Sequence, residues 1–177
     1  MADEYILKHL QDVEFEIIVV DNNSTDDTVK KVDNICSDKV RIIRNGNNYG
    51  FAKANNIGFK NSRGNYVLIL NPDIEFTKDT NIYLLLKGLN EGKKGIIAPK
   101  LLYGNGNIQE SARSFPSLLV LIIRGLRLEK SFSRFQFYRN FLLLDKKTGV
   151  EIYPDWVIGA FMLMKRETYM NLGGFDE

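Results

Sequence analysis

One cysteine and one histidine are all that 177 residues contain of the two side chains that most often bind zinc, and each scarcity closes off chemistry. Cys36 alone can make neither an internal disulfide nor a thiolate zinc cluster, which fits a reducing compartment. His9 alone excludes a multi-histidine metal centre, and it leaves a Ser-His-Asp hydrolase only if His9 is the base. Any hard-cation chemistry must run on carboxylates. An excess of charge is also missing: 24 Lys and Arg stand against 22 Asp and Glu, a net +2, so bulk electrostatics make no case for nucleic acid. Long hydrophobic runs are absent too. The longest, Leu118 to Ile123, is far below the roughly 20 residues that cross a bilayer, and no basic-then-apolar leader opens the chain. The expectation is a soluble or peripherally bound protein, cytoplasmic or at the cytoplasmic face of the membrane. What is present is 44% hydrophobic residues, in a length that hides roughly 70% of the unfolded surface without disulfides or structural metal.

Glu16–Val20, Val40–Ile43 and Tyr66–Leu70 are short runs rich in β-branched or aliphatic residues without a helical period, the pattern of strands buried on both faces. Between the first two, Ser24-Thr25-Asp26-Asp27 opens a helix with Val29, Val32, Ile35 and Cys36 on one face. Between the second and third, Gly50–Asn61 reads as another helix. The repetition predicts an α/β fold, Rossmann-like, with a mostly parallel sheet and helices on both faces. A helix over Lys78–Leu89 and a strand over Gly95–Ala98 continue it. Leu101–Ile108 contains Asn-Gly and predicts a hairpin, hence a short antiparallel element. Pro116–Leu144 is apolar, aromatic and basic without a single period, and Trp156–Met164 reads as one last buried strand. No Pro-, Gly- or Ser-rich linker interrupts the chain, so residues 1–177 are read as one domain with halves of about 15–98 and 99–177.

Ligands of parallel α/β sheets bind outside the carboxyl ends of the strands. The first strand delivers Asp21-Asn22-Asn23-Ser24 there, and the third delivers Asn71-Pro72-Asp73. The plain alternatives are that Asp21 and Ser24 cap the next helix and that Asp73 is a turn residue after proline. The sharper reading of Asn71 and Asp73 is a site for Mg²⁺ or Mn²⁺, which completes its shell with phosphate oxygens and water and offsets charge on a diphosphate leaving group. Gly50 and Ala52 start a helix with little bulk, Lys53 supplies charge, and Asn55 or Asn56 supplies hydrogen bonds.

Together IIVVDNNSTDDT, NYGFAKANNIGF, LILNPD and WVIGAFMLMKRETYMNLGGFDE resemble the family 2 glycosyltransferases of GT-A fold, nearest the rhamnosyltransferase-like branch. The resemblance spans about Phe15–Ala98 and Asp155–Glu177. It implies inverting transfer of a sugar from a nucleotide-diphosphate donor to a hydroxyl of a glycan or lipid-linked glycan of the cell envelope, with no nucleic-acid partner. Carried over, Asp21 and Asn23 contact the nucleotide, Lys53 and Asn55 line its pocket, and Asn71 and Asp73 occupy the family's D-x-D position, with Asn in place of the first acid. Trp156, Gly159 and Ala160 line the donor-sugar and acceptor side; ordinary core is the alternative for Trp156.

The resemblance also implies a further central strand ahead of the first helix and an acidic pair, the general base, beyond Glu177. This sequence runs from Met1 into a short helix and reaches Glu177 before such a pair. The expectation is a fragment of a longer product that binds nucleotide sugar weakly and turns over little, with open edges on the first and third strands. The alternative is that Asp176 and Glu177 serve as base. Arg124, Arg127, Lys130, Arg134 and Arg139 among Leu, Ile and Phe suggest either an internal helix pair with solvated arginines or contact with an anionic membrane surface. Two competing readings stay open: a receiver-like phosphoacceptor module with Lys100 near the fourth strand, and a binding-only remnant of a glycosyltransferase.

Overall fold

The computed structural model describes residues 13–35, 37–77, 80–92, 95–144 and 150–177. The short helix expected ahead of residue 13, with His9, and the positions of Cys36 and Lys78 lie outside the described residues. The chain forms two compact units, Met1–Ile97 with Ala160–Glu177, and Ala98–Gly159.

In the first unit, β1 (Ile17–Asp21) and β2 (Val40–Arg44) pair in parallel with Ile17 opposite Val40. Their β-branched side chains suit a pleated surface better than a helix. The connecting helix α1 (Thr28–Asp33) starts later than the polar cluster suggests, with Asp27 at its N-cap and no side-chain cap. Asp26 instead accepts the Thr28 amide at 2.9 Å, and the Thr28 hydroxyl and amide hold its carboxyl below the usual range. Helix α2 (Gly50–Lys60) returns over β1. Gly58 permits that close approach: a Cβ there would stand 3.1 Å from Val20 Cγ2. Strand β3 (Tyr66–Leu70) follows, then α3 (Ile82–Asn90), where the Asn81 side chain accepts the Leu84 amide at 3.0 Å as N-cap. Strand β4 (Ile96–Ile97) is short.

The second unit holds the Asn-Gly hairpin as expected. Leu102 bridges Ile108, Gly106 takes the left-handed φ of +82°, and its amide donates to the Tyr103 carbonyl at 2.8 Å. Strand β5 (Ala112–Arg113) pairs antiparallel with β6 (Trp156–Val157). The aperiodic basic stretch resolves into three short helices, α4 (Leu118–Gly125), α5 (Glu129–Phe132) and α6 (Gln136–Phe141). Val120 and Ile123 pack on Tyr138, Phe141 and Leu142 to form this unit's core.

The single strand expected over Trp156–Met164 is two. β6 stays in the second unit, while β7 (Phe161–Lys165) crosses back into the first and leads into α7 (Arg166–Leu172). β7 lies between β3 and β4 and is antiparallel to both, so β3 and β4 run parallel to each other without pairing. Phe161, Met162, Leu163 and Met164 are all buried although alternate residues face opposite ways, so β7 is covered on both faces. Among the described residues β1 pairs only with β2, and β3 only with β7. Ladder alternation therefore turns the amides and carbonyls of Ile18 and Val20, and of Tyr66, Leu68 and Leu70, to edges that no described strand pairs.

Leu89 on α3 is 0% exposed, whereas Leu84 on the same helix is 65% exposed. Leu89→Ala should cost about 2–5 kcal/mol in urea unfolding, and Leu84→Ala no more than about 0.5 kcal/mol. Equal costs would misplace the face that α3 buries.

Candidate functional site

Asp21 closes β1 with its side chain only 6% exposed. Among the described residues both carboxylate oxygens face a single donor, the Ser24 amide, at 3.3 and 3.2 Å, and the Asp21 carbonyl accepts the Asn45 amide at 2.9 Å. Asp21 thus organises the following turn, but a carboxylate has about four acceptor positions, and most of these are unused. Asn23 follows with φ +65°, a left-handed turn that Asn tolerates. The adjacent Asn22, which sequence reasoning passed over, accepts from Asn45 Nδ2 at 2.9 Å and donates to the Gly50 carbonyl at 3.2 Å. These two bonds tie the ends of β1 and β2 to the start of α2. Asn48 accepts the Gly50 amide at 3.0 Å while Gly50 takes φ +78°.

On α2, Lys53 Nζ lies 4.9 Å from the Tyr49 ring centroid and 3.7 Å from Glu177 Oε2. Asn55 turns back on its own helix and donates to the Phe51 carbonyl at 2.8 Å. The stronger amide is Asn56, 8% exposed. Its Nδ2 donates to the Phe175 carbonyl at 2.9 Å and to Glu177 Oε1 at 3.1 Å, while its Oδ1 accepts the Tyr169 hydroxyl at 2.7 Å and the Phe175 amide at 2.9 Å. All four positions of this side chain are filled. Burial pushes the Tyr169 hydroxyl up from its ordinary pKa, which keeps it a donor, and the bond from Asn56 holds the Glu177 carboxyl below the usual range. Asn56 therefore fastens the Gly173–Glu177 turn to α2. The motif text NN-I-G contained Asn56, but nothing local could show a partner 119 residues away.

Asn71-Pro72-Asp73 forms the turn after β3, closed by the Ile74 amide donating to the Asn71 carbonyl at 3.2 Å. The Asn71 amide donates to the Ala160 carbonyl at 2.9 Å, so the β3 turn and the lead-in to β7 are joined at two predicted site residues. Asp73 is exposed, and among the described residues its carboxylate has no hydrogen bond or ion pair. No group of three or more His, Cys, Asp or Glu that could hold a metal occurs among the described residues. A single free carboxylate next to an amide side chain suits Mg²⁺ or Mn²⁺ held largely by phosphate oxygens and water, and suits zinc poorly. No hydrogen bond or ion pair links Asp21 to Asp73 among the described residues. Asp176 is exposed and its carboxylate is likewise unpaired there.

Trp156 and Gly159 belong to the second unit. Trp156 is half-buried, donates from Nε1 to the Ser114 carbonyl at 3.2 Å, and carries the Arg113 guanidinium over its ring at 5.3 Å. One face of the indole is thus taken by a cation.

The family model for glycosyl transferase family 2 matches residues 5–168. Three relatives illustrate the likeness. A rhamnosyltransferase, WbbL, of Escherichia coli is 27% identical over 99% of this chain and 67% of its own. An N-acetylglucosaminyl-diphospho-decaprenol L-rhamnosyltransferase of Mycobacterium tuberculosis is 28% identical over 91% of this chain and 55% of its own. An uncharacterized glycosyltransferase of Rickettsia felis is 40% identical over 44% of this chain and 13% of its own. The chain thus spans from about an eighth to two thirds of the length of these relatives.

Asn56→Ala should cost about 2–4 kcal/mol in urea unfolding and return the Glu177 carboxyl toward its ordinary titration, read by carboxyl-carbon NMR. Gly174→Ala should cost a comparable amount, because φ is +87° and the new Cβ would stand 2.6 Å from Asn56 Oδ1. A Glu177 titration unmoved by Asn56→Ala would refute the fastening.

Proposed function

The chain belongs to glycosyl transferase family 2, whose GT-A fold its α/β architecture shares, and from that membership we propose that it moves a sugar from a nucleoside-diphosphate donor to a hydroxyl of a glycan or lipid-linked glycan, with inversion. The rhamnosyltransferase names of two relatives support L-rhamnose as the sugar. The observation that carries the proposal is Asp73: an exposed carboxylate, unpaired among the described residues, on a turn anchored through Asn71 to Ala160. Asp73, with Asn71 beside it, would hold a divalent cation through one protein charge. When bound, that cation would offset the negative charge that builds on the departing diphosphate. The spare acceptor positions of Asp21 suit the N–H and O–H donors of a nucleoside, and Asn23 extends the same turn. Lys53 offers a cation to phosphate in exchange for its exposed partner Glu177, a pair worth little in water. Ala160, 8% exposed, adds no bulk beside Asn71, and Gly159 next to it has none to add. Of the two acids in the final turn, Glu177 is bound to Asn56 and Lys53, which leaves Asp176 free to take the proton of the attacking hydroxyl.

The acceptor side extends to a membrane in this reading. Leu118, Leu119, Leu121, Ile122 and Leu126 on and after α4 are each at least half exposed, while only Val120 and Ile123 of that helix face the core. A helix on an aqueous surface ordinarily shows polar residues there. The internal helix pair weighed from sequence exists as α4 against α6, but it leaves this apolar face open. Arg124, Arg127, Lys130 and Arg134 are exposed along the same stretch of chain, which suits an anionic bilayer and a lipid-linked acceptor. No described helix is long and apolar enough to cross a membrane.

Calorimetric titration with a panel of nucleoside diphosphates should show binding that Mn²⁺ strengthens, and Asp73→Ala should weaken the Mn²⁺-dependent binding at least ~10-fold, about 1.4 kcal/mol. Equal binding by the variant would contradict the site. In vesicle pelleting, the protein should bind phosphatidylglycerol vesicles and not phosphatidylcholine vesicles, with Ile122→Glu and added salt each releasing it. Failure to pellet with anionic vesicles would remove the membrane from the account.

A further inference from the structure

Arg113, on β5 in the second unit, is a mostly buried cation without a close counterion among the described residues. Its side chain is 19% exposed, its Nε is sealed from solvent, and that nitrogen has no hydrogen-bond partner. Among the described residues the carboxylate paired with it, that of Glu110, stands 3.9 Å from the terminal nitrogen, too far for a hydrogen bond. Asp155 is not a substitute: its Oδ2 accepts the Phe115 amide at 2.8 Å, and its own amide donates to the Arg113 carbonyl at 3.1 Å. Around the guanidinium are aromatic faces instead, with the Trp156 ring centroid at 5.3 Å and that of Phe141 at 5.8 Å. Trp156 is held in place by its bond to the Ser114 carbonyl.

Guanidinium cannot shed its charge and offers five N–H donors in a planar fork. Stacking on two rings steadies the plane and restricts its orientation, but it supplies no acceptor. Burying such a group with its donors unmet costs free energy that an incoming oxyanion would recover, since a fork of fixed orientation loses little on pairing. We propose that Arg113 is the anchor of an oxyanion site in the second unit that takes a phosphate or diphosphate group, with Trp156 and Phe141 as its frame. This assigns Trp156 the holding of a cation in place of an open platform for a sugar ring. The chemistry fits two sources, the diphosphate of a lipid-linked acceptor and that of a nucleotide donor. The site stands on the second unit alone and does not need the Asp73 reading to hold.

Trp156 is the chain's single tryptophan, so its emission reports on Arg113 directly. Inorganic pyrophosphate titrated into the whole chain should change that emission saturably. Arg113→Gln should weaken the response at least ~10-fold, and Arg113→Lys, which keeps the charge and loses the fork, should weaken it less. Asp73→Ala should leave it intact. If Arg113→Gln fails to fold, the Nε–H resonance of Arg113 in the unaltered protein serves, and pyrophosphate should move it. Farnesyl diphosphate and uridine diphosphate then separate the sources: tighter binding of the first identifies a lipid-borne diphosphate, tighter binding of the second a nucleotide. No saturable response, an unshifted Nε–H signal, a response unchanged in Arg113→Gln, or one abolished by Asp73→Ala would each overturn the proposal.

Discussion

The ladder that β7 makes with β3 is the constraint on which the rest of the first unit depends. β7 arrives after 90 residues of intervening chain, runs antiparallel between β3 and β4, and is buried on both faces. Because the register sets Leu70 opposite Phe161, the next rung joins the Asn71 amide to the Ala160 carbonyl. A one-residue slip would exchange side chains of different shape between two packed faces, so packing fixes the register and the register fixes the turn. The free carboxylate of Asp73 is therefore carried on a rigid corner, as a ligand group must be if it is to meet a diphosphate in one geometry.

Hydrogen-bond capacity separates the structural polar groups from those with work left to do. Asn56 uses every donor and acceptor it has, and its part is to hold the Gly173–Glu177 turn on α2. Asn22 and Asn45 likewise bind each other and their neighbours. Among the described residues Asp21 and Asp73 retain free acceptor positions, and Arg113 retains unmet donors. Unmet capacity in a folded protein costs free energy unless solvent or a ligand meets it, so binding has most to gain at Asp21 and Arg113, while the exposed Asp73 exchanges water for a ligand.

Much of the fold was legible because its signals are local. The β-branched run at Ile17–Val20, the aliphatic run at Tyr66–Leu70 and the Asn-Gly turn announce themselves within a few residues, and the predicted third strand matches its bounds. Helix α1 began later than its polar cluster suggested: Asp21 accepts the Ser24 amide and Asp26 the Thr28 amide, which holds the cluster as a turn ahead of the helix. The split of Trp156–Met164 into β6 and β7 was not legible: both pieces are apolar and extended, and only their partners, β5 in one unit and β3 in the other, divide them. The same holds for the site. Strand ends pointed to Asp21 and Asp73, whereas the Asn56 clamp and the orphaned Arg113 are properties of distant contacts that no sequence window contains.

The central claim is that the turn after β3 receives a cation together with a diphosphate. Paramagnetic broadening of backbone amide signals by trace Mn²⁺, recorded with uridine diphosphate present, tests it most directly. The account predicts that the amides of Asn71, Asp73, Ile74 and Ala160 broaden first and that Asp73→Asn abolishes the effect. Broadening that spares this corner and gathers elsewhere in the chain would contradict it.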